Sequence, residues 1–262
     1  MKIDLSGKTA IITGSTKGIG LATAKGLMAA GATVVINGRS RESVDAAIAE
    51  VQSGGAGIVR GVVADMGSEA GCAVLTDVEP KADILINNAF AVAWEDFFET
   101  PDAAWNQSWE TNVMTAVRLS RHYLRGMESA GWGRLVFISS ESARNIQPEL
   151  ISYGATKLAL HAVSRGLAKR MAGTGVTANV VLVGTTLSHG VTQMLKPAMD
   201  QGMSAEEAGR AFVTANRASS IIQRAATVDE VASMIIYVCS PQASATNGSV
   251  LRVDGGIVDD IN

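Results

Sequence analysis

The sequence predicts an α/β fold: a three-layer, doubly wound parallel sheet of about seven strands with helices on both faces. Three observations predict it. Short β-branched runs alternate along the 262 residues with longer stretches of helical period, the pattern of successive βαβ units. A glycine-rich turn, Thr13-Gly14-Ser15-Thr16-Lys17-Gly18-Ile19-Gly20, leaves the first of these runs and opens the first helical stretch. Hydrophobic residues make up 47% of the chain, enough for a core on each face of a sheet.

Strands are expected at 8–13, 33–37, 58–63, 83–87, 134–139, 176–181 and 249–253. The first helix runs from the glycine turn to Gly31, which is placed as a C′ glycine. Thr100-Pro101-Asp102 offers an N-cap, an N1 proline and an early acid to the helix carrying Trp105 and Trp109. Ser204 with Glu207, and Thr227 with Glu230, have capping-box spacing; Pro241 closes the apolar run after the second box. The segment 186–223 is the least regular, with Met194, Met199 and Met203 beside Pro197 and Gly202. Its place after a late strand suits a substrate lid. With no repeat, low-complexity stretch or linker, 1–262 reads as one domain.

Charged residues are 18% and the formal net charge is −3, which argues against nucleic acid or an anionic membrane surface as partner. Apolar runs fall short of the roughly 18 residues of a transmembrane helix, and Met1 to Lys8 lack a signal-peptide core. A soluble, cytoplasmic protein is expected. Cys72 and Cys239 stand in no CxxC or Cys/His cluster and read as buried thiols; His122, His161 and His189 are too scattered for a metal site.

In the glycine turn, Gly14 permits the tight bend, Gly18 lets the backbone approach a pyrophosphate and Gly20 allows close helix packing. The helix start offers free N–H groups to phosphates. This is a Rossmann-like, dinucleotide-binding arrangement. Downstream, Tyr153 and Lys157 are four residues apart, on one face of a helix, where a fixed ammonium favours phenolate and lowers the tyrosine pKa from about 10. Such a tyrosine exchanges a proton near neutral pH. That spacing arises often by chance; beside a nucleotide-binding turn it points to a redox enzyme.

Together TGxxxGxG and YxxxK resemble the short-chain dehydrogenase/reductase family, and the resemblance runs over essentially the whole chain. Asn87-Asn88-Ala89 resembles the family's NNAG segment, Asn112 falls where the family keeps an active-site asparagine, and Ser140 lies thirteen residues before Tyr153. The resemblance implies Tyr153 as acid/base, with Lys157 holding the nicotinamide ribose. Ser140 would bond the substrate oxygen, and Asn112 would anchor a water leading to Lys157. It further implies that Ser15, Thr16, Lys17, Ile19, Asn88 and Ala89 surround the cofactor, that Asp65 beside Met66 contacts adenine, and that Gly184, Thr186 and Ser188 hold the nicotinamide.

Where an NAD-specific protein places an acid stands Gly38, followed by Arg39, and Lys17 adds a second cation; NADP(H) is expected over NAD(H). Two departures touch the substrate end. Phe90 replaces the glycine after Asn-Asn-Ala, and Val183 replaces the proline before Gly184, which is expected to loosen that loop. Phe90, Trp94, Glu141, Asn145, Gln147 and His189 are the candidates for the substrate side. The expected reaction interconverts a carbonyl compound and its alcohol. The alternatives are an NAD-dependent secondary-alcohol dehydrogenase and a nucleotide-binding sensor or scaffold with little turnover. By resemblance the chain assembles as a homotetramer or dimer.

Overall fold

The computed structural model describes residues 2–55 and 57–261. Its strands are β1 (Thr9–Ile12), β2 (Thr33–Gly38), β3 (Val59–Val63), β4 (Ile84–Asn87), β5 (Gly133–Ser140), β6 (Val176–Val183) and β7 (Val250–Val253). They form one seven-stranded sheet in the order β3-β2-β1-β4-β5-β6-β7, with every pairing parallel. Each expected strand is present. Parallel strands are covered on both faces, which explains the near-continuous β-branched runs; all of β5 is buried.

Between the strands run α1 (Gly18–Ala29), α2 (Arg41–Gln52), α3 (Glu69–Val78), α4 (Asp102–Trp109), α5 (Thr115–Ala130), α6 (Ile151–Arg170), α7 (His189–Asp200), α8 (Ala205–Asn216) and α9 (Val228–Cys239). Alternate strand residues feed opposite faces. Ile12, Ile36, Ile86 and Ile138 meet Leu27 of α1, Val44 of α2 and Val231 of α9. Ile11, Val35, Leu85 and Phe137 meet Leu75 of α3, Leu119 of α5 and Leu160 of α6. Cys72 and Cys239 are buried free thiols. Among the described residues no helix is long and apolar enough to cross a membrane.

Local signals fix most helix ends. Gly31 adopts φ +93° after α1 and donates to the Met28 carbonyl at 2.8 Å. Both capping boxes form, Ser204 with Glu207 and Thr227 with Glu230. The start of α4 differs from the expected one: Pro101 occupies the cap position, because Thr100 is drawn back into the preceding turn, its hydroxyl donating to the Asp96 carbonyl at 2.7 Å. A π-helical turn, Glu110–Met114, joins α4 to α5. The 186–223 segment is more regular than its composition suggests, since α7 and α8 fill most of it.

The chain runs outward from β1 through β3 and returns to place β4 beside β1. At such a switch point a crevice opens beyond the carboxyl ends of the strands. The turns after β1, β4, β5 and β6 all meet there.

Candidate active site

The nucleotide half of the crevice is built by backbone. Gly14 and Gly18 take φ +61° and +58°, left-handed values that glycine tolerates best. Asn88, just past β4, donates its amide to the Thr13 and Gly14 carbonyls at 2.8 and 3.0 Å. A Cβ on Gly20 would meet that amide at 2.8 Å, so the glycine lets α1 start against Asn88. Lys17 at the N-cap supplies no capping side chain, which leaves the first N–H groups of α1 for an anion. This cradle fits a dinucleotide.

Ser15, Arg39, Asp65, Met66 and Ala89 fall outside the cavity lining. Ser15 is fully buried; its hydroxyl donates to the Ile12 carbonyl at 2.7 Å and accepts from the Asn37 N–H at 3.0 Å. Ala89 packs under Gly14, whose added Cβ would lie 3.0 Å from the Ala89 Cα. Asp65 turns its carboxylate to the Gly67 N–H at 3.0 Å, and Met66 is buried in the core. Arg39 is exposed, next to Gly38. A Cβ on Gly38 would come within 2.4 Å of the Thr16 methyl, so a side chain there would require Thr16 to give way.

The chemical half stands on α6 and the end of β5. A side chain at Gly154 would strike the Ser142 carbonyl at 2.5 Å; its absence lets α6 lie against the turn after β5 and brings Tyr153 beside Ser140. Lys157 is buried and donates to the Ile138 carbonyl at 2.9 Å. Burial lowers its ammonium to about 7. Burial also pushes the Tyr153 hydroxyl up, the Glu141 carboxylate adds to the rise, and the hydrogen bond with Ser140 opposes it. The four-residue spacing led us to expect a lowered tyrosine. In this dry setting each group shifts toward its neutral form, and the Lys157 ammonium is turned to a carbonyl.

Asn112 sits in the π-helical turn and is buried. Its oxygen accepts from the Ala91 N–H at 2.7 Å, and its amide donates to the Ala91 carbonyl and the Thr156 hydroxyl, both at 2.9 Å. The side chain thus clamps the chain immediately after Phe90. Below Ser140, the Ser139 hydroxyl bonds His161 Nε2 at 2.8 Å, and burial lowers His161 to about 4, with Arg144 and Lys157 acting in the same direction.

A cavity of about 900 Å³ joins the two halves, running from Gly14, Thr16, Lys17, Gly18, Ile19 and Gly20 past Gly184, Thr186 and Ser188 to Ser140, Tyr153 and Lys157. Its far walls are apolar, with Val92, Leu150, Met194 and Phe212 joining the expected Phe90 and Trp94. Phe90 presents to Tyr153 edge-on, with centroids 6.3 Å apart. Its ring lies 5.6 Å from Lys157 Nζ. His189 begins α7 and brings Nε2 within 3.4 Å of Lys17 Nζ. Asn145 and Gln147 fall outside the lining: Gln147 accepts from the Ser142 hydroxyl at 2.9 Å and donates to the Asn145 carbonyl at 2.7 Å. The loop after Val183 is not loose, because Leu187 donates to the Ala226 carbonyl and Ala226 to the Thr185 carbonyl at 2.8 and 2.9 Å.

Sequence reasoning missed Arg217. It lies just past α8, its side chain 9% exposed, with Nε 3.3 Å from Oε1 of Glu141, which is 7% exposed. The other Glu141 oxygen accepts from the Ser140 hydroxyl at 2.9 Å. No local pattern marks Arg217, because only the folding of α7 and α8 over the crevice delivers it.

The short chain dehydrogenase family model matches residues 8–200. The chain is 42% identical over 260 residues to the uncharacterised oxidoreductase YvaG of Bacillus subtilis (strain 168), covering 98% of each. It is 34% identical over 263 residues to D-beta-hydroxybutyrate dehydrogenase of Cupriavidus necator, covering 97% of this chain and 99% of that one. The structure of L-sorbose reductase from Gluconobacter frateurii, complexed with NADPH and L-sorbose, superposes with a TM-score of 0.91 at 29% identity over 100% of both chains. Sheet order, glycine cradle and these matches agree, and the chain belongs to the short-chain dehydrogenase/reductase family of oxidoreductases.

Proposed function

We propose that this protein is an NADP(H)-dependent reductase that interconverts a carbonyl compound and its alcohol, with Asn112, Ser140, Tyr153 and Lys157 as its catalytic set and 186–223 as its lid, in one catalytic domain. The observation that carries the reading is a single cavity with the glycine cradle at one end and Ser140, Tyr153 and Lys157 at the other. The NADPH complex of L-sorbose reductase supports it.

NADPH held in the cradle would supply the hydride that the carbonyl carbon receives. As the C=O π pair moves onto oxygen, the Tyr153 hydroxyl gives that oxygen its proton, and Ser140 steadies the developing charge. A tyrosine held protonated by its surroundings is the right donor for reduction. Lys157, poised near 7, stands to return a proton to the phenol. For the cofactor's 2′-phosphate, Lys17 is the cation at the cradle and Arg39 lies on the exposed rim beside Gly38. For assembly, Trp109 on α4 and Leu158 on α6 are exposed apolar residues on the helices expected to pair in a homotetramer or dimer; we propose a cytoplasmic location.

The test is consumption of NADPH and of NADH over a panel of ketones, aldehydes, ketoacid esters and imines. Turnover with at least one member and a preference for NADPH are expected. Tight NADPH binding with no consumption across the panel would favour a sensor, and a preference for NADH would overturn the cofactor assignment.

A further inference from the structure

Besides its hydrogen bond with Tyr153, the Ser140 hydroxyl has a carboxylate acceptor close by. Its proton is donated to Oε2 of Glu141 at 2.9 Å, while the Ser140 oxygen accepts from the Ser142 N–H at 3.2 Å. Oε1 of the same carboxylate takes the Arg217 Nε–H at 3.3 Å. Glu141 is buried and lines the cavity beside the reacting end. When Ser140 turns its proton to a substrate oxygen, Oε2 loses its donor, and leaving a buried carboxylate oxygen unpaired is costly. Val92, Leu150 and Phe212, which line the same cavity, carry no donor. A substrate hydroxyl can supply one.

We propose that the Glu141–Arg217 pair reads a hydroxyl on the carbon next to the carbonyl, so that the preferred substrates are α-hydroxy carbonyl compounds, and vicinal diols in the reverse direction, with an otherwise apolar body. This rests on the function proposed above and names its substrate class. Geometry sets the position of the hydroxyl: Oε2 is one hydrogen bond from Ser140 Oγ, which is itself one hydrogen bond from the carbonyl oxygen, and oxygens on adjacent carbons span a comparable separation. A ketone lacking the hydroxyl leaves Ser140 choosing between Glu141 and the substrate. Arg217 keeps the carboxylate in place from the lid side, itself set 5.7 Å over the Phe212 ring.

The experiment compares 2-hydroxyacetophenone with acetophenone, and 1-phenyl-1,2-ethanediol with 1-phenylethanol. Steady-state rates are measured with NADPH for the ketones, and calorimetric binding to the enzyme–NADP⁺ complex for the alcohols. The parent enzyme is expected to favour the hydroxylated member by about tenfold or more in kcat/KM, with the same order in binding. In Glu141→Gln the ratio should fall several-fold. In the double variant Glu141→Leu, Arg217→Met, which removes both charges together and so leaves neither buried alone, it should approach one. Melting temperature and fluorescence titration of NADPH confirm that each variant is folded. A parent ratio near one, or a ratio unchanged in both variants, overturns the proposal. If no ketone is turned over, the reductase reading fails by itself, and the diol-to-alcohol binding ratio still decides whether Glu141 reads the hydroxyl.

Discussion

Tyr153, Lys17 and Phe90 each do something a single substitution isolates. Tyr153→Phe removes the proton and little else, so kcat should fall by roughly 10²- to 10⁴-fold while NADPH affinity stays near that of the parent; substantial residual turnover in stopped-flow would mean another group supplies the proton. Lys17→Ala should weaken NADPH binding about tenfold, the value of one charged hydrogen bond, and leave NADH binding nearly unchanged by fluorescence titration. Phe90, 56% exposed and edge-on to Tyr153, is a wall and not a core residue. Phe90→Gly should therefore move the ratio of kcat/KM for bulky over small ketones by roughly ten- to two-hundredfold; an unchanged ratio with a large fall in Tm would place the ring elsewhere. At this scale the sequence disclosed residues whose meaning is local: Gly14 and Gly18 by the turn they permit, Tyr153 and Lys157 by their spacing. It did not disclose the direction in which Tyr153 titrates, because burial and the Glu141 carboxylate are set by tertiary packing.

Elements hold the site by close approach. Helix α6 presses on the turn after β5 through Gly154, where a methyl would meet the Ser142 carbonyl at 2.5 Å. Backbone is in the way, so the helix itself has to shift. Gly154→Ala should cost about 1–3 kcal/mol of stability in urea titration, as overpacking does, and lower kcat more than it changes NADPH affinity. Retained stability would show that α6 has room to move. Strands and most helices were legible because buried parallel strands leave near-continuous β-branched runs and helices leave a period of 3.6. The π-helical turn that carries Asn112 was not, since Glu110-Thr111-Asn112 carries no local mark of the inserted residue. Nor was the inward reach of Arg217, whose position depends on how α7 and α8 lie across the crevice.

The whole molecule should carry a pH signature of its buried groups. Burial holds Lys157 at about 7, down from 10.5; between those values the unfolded chain binds the extra proton, so stability rises with pH. His161, held at about 4 and normally 6.5, contributes the same sign at lower pH. Cys239, pushed up from 9.0 to about 12, reverses the sign, because above pH 9 the folded chain keeps a proton the unfolded chain has lost. The cofactor-free protein is therefore expected to gain stability between pH 7 and 9, at no more than about 1.4 kcal/mol per pH unit from one group. Lys157→Met should flatten that slope in urea titrations followed by tryptophan fluorescence; an undiminished slope would assign it to another residue. The clasp between Thr185, Leu187 and Ala226 has a consequence of a different kind. The excursion through α7 and α8 starts and ends at one bridge beyond β6, Thr186 with Ala226, so its length is not set by the register of β6 and β7. The segment behaves as a cassette: a helical pair of another size, grafted between the two sides of the clasp, would bring new recognition chemistry to an unchanged frame.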